Sequence, residues 1–224
     1  MKRRCGALLA LSALLATGAI EGLAGNDNMA LKAQPGTVAA PANPRTSRND
    51  SAGRDAELAK LKEAVRLLGG QPHHAHILLA AGNTFDIDPL LLAALTHVES
   101  SFKSTAKSKK DARGLMQLRP VVLRVLGVRN PWDCHDNIMA GAAYLRHCFD
   151  RYEFCQNATH LALAAYNIGP GPVGKLTASE AADRFVKKVL GVYNRLTDEP
   201  IAVDVLRGTM ACRRSAWAEI LELD

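Results

Sequence analysis

The chain has 224 residues, 48% of them hydrophobic and 22% charged, with a formal net charge of +6. That balance supports one folded domain with a real hydrophobic core and excludes a largely disordered or fibrous chain. A mild basic excess suits an anionic polymer as partner, but charge alone does not separate cell-wall glycan, nucleic acid and a merely solvated surface.

Lys2, Arg3 and Arg4 precede an apolar run from Ala7 to Ala16, and small residues including Ala19, Gly22 and Ala24 follow. A charged start, a short apolar stretch and a small-residue cleavage zone read as a secretory signal peptide over residues 1–24. The run is too short to stay as a bilayer anchor, and no later stretch is both long and uncharged enough to span. The expected location is therefore periplasmic or secreted, with no integral membrane segment after cleavage, and export argues against nucleic acid as partner.

Residues 25–56 are rich in Ala, Pro, Asn, Ser, Gly and Arg and lack an apolar period, which predicts a flexible linker. A short amphipathic helix is predicted over 57–70, with Leu58, Leu61, Val65 and Leu68 on one face and Gly69 and Gly70 ending it. The compact domain is placed over 71–224. A helix over about 74–84 comes first. Asp88 then caps a second one with Pro89 at its first position. Its Leu90 to Leu95 stretch is apolar all round, so this helix is expected to be buried, and it ends at Glu99 and Ser100. Residues 103–120 are polar and non-periodic, which predicts loop with short extended pieces. Helices follow at about 120–126, 136–152, 158–167 and 179–197, with a terminal one at about 212–223. The class is α+β, mostly helical, with a small irregular or β element after the helix that carries Glu99.

Cys134, Cys148, Cys155 and Cys212 follow the signal, and an even number in an oxidising compartment predicts two disulfides. No Cys-x-x-Cys or Cys/His spacing supports zinc instead. Cys134 and Cys155 flank opposite ends of one predicted helix, too far apart to pair, and the connectivity is otherwise open. His73, His74 and His76 cluster without an acidic or Cys partner at ligand spacing, so no metal is expected there.

Glu99 closes the most apolar helix in the chain. Desolvation there raises a carboxyl pKa, and the negative end of the helix dipole pushes the same way. A carboxyl kept protonated near neutral pH is a general acid. On that feature alone, a glutamate that simply ends a helix is the commoner case.

The sequence after Glu99 is more specific. It runs Glu99-Ser100-Ser101-Phe102, Ala106, Ser108, Gly114-Leu115-Met116-Gln117 and Pro120, then Asn130-Pro131, Asn137-Ile138, Gly141, Tyr144-Leu145 and Ala164-Ala165-Tyr166-Asn167-Ile168-Gly169-Pro170-Gly171. These ordered motifs resemble the soluble lytic transglycosylases, the lysozyme-like glycan lyases of glycoside hydrolase family 23, over about residues 73–196. The resemblance implies a lysozyme-like domain in which Glu99 is the catalytic acid and base and peptidoglycan the substrate. It implies that Ser108 contacts the N-acetyl group of muramic acid and that Met116, Gln117, Tyr166 and Asn167 line the glycan site, with Tyr166 beside Glu99. It also implies lysis without a metal or organic cofactor.

Two departures stand out: Asp111 where the family usually has glycine, and Arg119 where it commonly has an apolar residue. Asp tolerates a left-handed backbone, so the turn is expected to survive. Asp111 is also the candidate second carboxylate of a rival muramidase, which would place a water. A non-catalytic wall-binding or assembly protein is a further alternative. The short format also fits an enzyme that opens the wall for a secretion or pilus apparatus.

Overall fold

The computed structural model describes residues 48–155, 157–171 and 179–202. The signal peptide, most of the linker, the terminal helix and Cys212 lie outside the described residues.

Seven helices are described: α1 Arg48–Leu67, α2 Pro72–Phe85, α3 Pro89–Ser100, α4 Pro120–Val125, α5 Cys134–Tyr152, α6 Ala158–Ile168 and α7 Glu180–Tyr193. Their starts follow local chemistry. Pro72 and Pro89 open α2 and α3, where a missing N–H costs nothing. The Asp88 carboxylate accepts from Leu90 N at 2.7 Å, and Asp133 accepts from Asp136 N at 2.9 Å to start α5.

Helix α1 begins nine residues before the predicted Glu57. Residues 53–57 are exposed, so the first turns carry no apolar stripe for a periodicity reading to find. The apolar face appears only where Leu61, Ala64 and Val65 become buried.

Helix α3 sits at the centre, its Leu91 to Leu95 all buried as their unbroken apolar character requires. It packs against α1, α2 and α7, while α5 packs on α2 and α6, and α6 on α7. The mostly helical class holds. The β component among the described residues is two isolated antiparallel bridges, Lys107 with Arg113 and Arg113 with Leu118, both in the segment after α3.

The cysteines differ from expectation. Cys134 and Cys148 are free thiols, one half-buried at the start of α5 and the other buried within it. Cys155 is disulfide-bonded. The parity rule that predicted two bridges assumes that every exported cysteine pairs. Here the two α5 residues lie fourteen positions apart along one helix, a rise of roughly 20 Å, far beyond disulfide reach.

No described helix is long and apolar enough to cross a membrane.

Candidate active site

The site is built where α3 ends. Ser101 and Phe102 both take left-handed backbone, at φ 51° and 60°, and turn the chain sharply into the irregular segment. Asp111 (φ 61°) and Gln117 (φ 48°) do the same further on. Four of the five described non-glycine residues with positive φ thus fall between 101 and 117. Such conformations are costly and persist where the surroundings impose them, often beside functional sites.

Asn137 of α5 imposes much of this shape. It is fully buried, accepts from Met116 N at 2.8 Å, and donates to Arg113 O at 3.1 Å and Pro131 O at 2.9 Å. Gly114 (φ 79°) lies against the same side chain, and a Cβ there would collide with Asn137 Nδ2 and Pro131 O. A Cβ on Gly141 of α5 would strike the Met116 side chain. These two glycines let the segment lie close on α5.

Glu99, half-buried in the last turn of α3, opens into a cavity of about 510 Å³, a typical size for a ligand cleft. Burial pushes its carboxyl up to about 8, so it is neutral at neutral pH. It is the only acidic residue among the described residues that line this cavity.

Ser108, Gln117, Tyr166 and Asn167 line the cavity with Glu99. The Ser108 hydroxyl oxygen accepts from Ala112 N at 3.0 Å and Lys110 N at 3.2 Å, which leaves its proton free to donate to a carbonyl. Gln117 spends its amide group on Ala106 O (2.8 Å) and Gly114 O (2.9 Å), leaving Oε1 as an acceptor for a sugar hydroxyl. Tyr166 is buried and donates to Met116 O at 2.8 Å. Burial raises its phenol well above the usual range, helped by the proximity of Glu99.

Tyr166→Phe is expected to lose about 1–2 kcal/mol of stability by stranding the Met116 carbonyl. A denaturant titration checks this, and an unchanged midpoint would contradict the assigned bond.

Met116 is a correction. Its side chain is fully buried and is not part of the cavity lining. It supports the site from beneath, through its backbone N–H to Asn137 and its carbonyl to Tyr166. A motif position records that a residue type is required, not which way the side chain points.

Asp111 is absent from the lining. Arg113 holds it at 2.7 Å and Lys107 at 3.0 Å, and the two cations keep its carboxyl below the ordinary carboxylate range. Its left-handed backbone survives without glycine.

Sequence reading assigned no role to Tyr144, Lys110, Val121 or Ile168, which all line the cavity. Tyr144 sits with its ring 5.1 Å from that of Tyr166. A signal for it existed, since Tyr144-Leu145 is among the ordered motifs after Glu99.

Away from the cavity, folding brings Cys134 to His73 and His74, with candidate ligand atoms within 4.8 Å of one another. Sequence spacing did not foresee this meeting of α2 and α5. His74 Nδ1 accepts from Gln71 N, so in the neutral ring Nε2 carries the proton, which opposes ligation.

A desolvated carboxyl thus shares one cleft with two tyrosines and with polar groups fixed in a strained loop, on a helical scaffold. The family described as the transglycosylase SLT domain matches residues 77–188, and the chain belongs to it. The chain is similar to the membrane-bound lytic murein transglycosylase F of Desulfosudis oleivorans (38% identity over 105 residues, 46% of this chain and 23% of that protein). It is also similar to a transglycosylase of Enterobacteria phage PRD1, with 41% identity over 90 residues, 40% of this chain and 32% of the phage protein. The chain thus spans less than a third of the length of these relatives. Among solved structures, an inactive mutant of the lytic transglycosylase Slt of Pseudomonas aeruginosa is 26% identical, with a TM-score of 0.47, covering 55% of this chain and 24% of that one.

Proposed function

We propose that the chain is a peptidoglycan lytic transglycosylase that cleaves the β-1,4 bond between N-acetylmuramic acid and N-acetylglucosamine and leaves 1,6-anhydro ends. One observation carries this reading: among the described lining residues the one carboxyl, that of Glu99, is neutral, while Asp111, the rival carboxylate, is tied to two cations outside the lining.

Most glycosidases need two carboxyl groups, and one group suffices only if the substrate supplies the rest. Protonated Glu99 gives its proton to the glycosidic oxygen as the bond to the anomeric carbon breaks. The substrate's own acetamido oxygen shields the positive carbon, held by the free Ser108 proton. Glu99, now ionised, takes the proton of the C6 hydroxyl. That oxygen closes onto the anomeric carbon and Glu99 returns to its starting state. No water enters the products.

The acid step needs neutral Glu99, so activity is expected to fall as pH rises through about 8. A pH–rate profile with no alkaline loss in that region would contradict the assignment.

In this reading the protein is exported by residues 1–24 and acts in the periplasm or outside the cell. A secretion or pilus apparatus would recruit it through residues 25–70. Clearance of purified cell wall separates enzyme from scaffold: wild type clears and Glu99→Gln does not. Equal clearance by both would overturn the catalytic assignment.

A further inference from the structure

The segment from Lys103 to Arg119 carries six basic side chains and a single acid, Asp111. It therefore holds a charge of +5 in 17 residues, and the rest of the chain, with 22 basic and 21 acidic residues, is nearly neutral. Asp111 is spent on Lys107 and Arg113. Lys110 and Arg119 are exposed, line the cavity, and have no acidic partner among the described residues.

Crowding like charges costs energy through self-repulsion, and a cleft lined by one sign draws in the opposite one. Glu99 does not answer these cations, since it is neutral below about pH 8. The field of Arg119 acts instead on Tyr144. A neutral glycan would leave two unpaired cations against its surface.

We propose that Lys110 and Arg119 form an anion subsite that takes a carboxylate on the side arm of a bound muramic residue. The inference rests on the glycan reading above and deepens it. Two sources share this chemistry: the lactyl carboxylate, free only on peptide-free strands, and the carboxylates of a stem peptide. Arg119 offers a planar fork for such a group and Lys110 a point charge.

The test uses full-length Glu99→Gln protein, so that ligands bind without being cut. Calorimetry compares three oligosaccharides of equal length: an N-acetylglucosamine oligomer, a peptide-free muramic-containing oligomer, and the same oligomer with stem peptides. At least one anionic ligand is expected to bind about tenfold more tightly than the neutral one. The advantage shrinks as salt rises. Adding Lys110→Met and Arg119→Met brings the anionic-to-neutral ratio to about one, with thermal melting as the check on folding. Preference for the peptide-free oligomer assigns the lactyl carboxylate, and preference for the peptide-bearing one assigns the stem. Equal binding of neutral and anionic ligands, or a preference that survives both substitutions, would overturn the subsite. Failure to bind any of the three would overturn the glycan reading itself.

Discussion

Glu99→Gln is expected to lower turnover on peptidoglycan by on the order of 10³-fold or more, with little change in glycan affinity. Glutamine keeps the size of the side chain but neither donates nor removes a proton, so both half-steps are lost together. The same variant makes a stability prediction of definite sign. The folded carboxyl titrates at about 8 and the unfolded one near its ordinary 4.5. Below about pH 4.5 both states are protonated and the stability tied to neutral Glu99 is fully present. It is lost progressively as pH rises toward about 8, because only the unfolded state releases the proton freely. Glu99→Gln removes that slope, so the variant is expected to gain stability over wild type as pH climbs through this window. Parallel melting curves across the range measure the difference. A constant offset would show that the carboxyl is not desolvated.

Asn137→Ala is the substitution with the largest expected cost away from the chemistry. It strands the Met116 N–H and the Arg113 and Pro131 carbonyls, each now bonded within 3.1 Å. Stranded groups cost more than the bonds themselves contribute, so a loss of about 3 kcal/mol is expected. In a chain of this size that corresponds to roughly 10 °C in melting temperature. Activity should fall too, since Asn137 fixes the segment that presents Ser108 and Gln117. A loss below about 1 kcal/mol would mean that the segment holds its shape without Asn137.

The helices were legible because their signals are local. Asp88-Pro89 followed by an unbroken apolar run specifies a capped, buried helix, and α3 is that helix. Glu99 was legible as a desolvated acid for the same reason. The clamp on the segment after α3 was not. Asn137 sits in a helix of mixed polarity, and two of its three partners lie 21 and 24 residues away, so only tertiary folding makes it a buried hub. The Met116 side chain was misplaced because a motif fixes identity without direction. The free thiols of Cys134 and Cys148 defeated a counting rule that ignores where cysteines sit on a helix. The approach of Cys134 to His73 and His74 depends on how α2 meets α5, which spacing along the chain does not encode. Arg119 stood out as a departure from the family pattern. The charge imbalance of residues 103–119 was open to simple counting, but it gained meaning only once two of those cations faced the cavity.

The central claim is that one carboxyl does all the proton chemistry and no water enters the products. Digestion of purified peptidoglycan in heavy-oxygen water, followed by mass analysis of the fragments, tests this directly. The account predicts 1,6-anhydro muramic ends, unlabelled and resistant to borohydride reduction. Reducing ends that carry the heavy oxygen would contradict it and return Asp111, or another group, to the role of water-activating base.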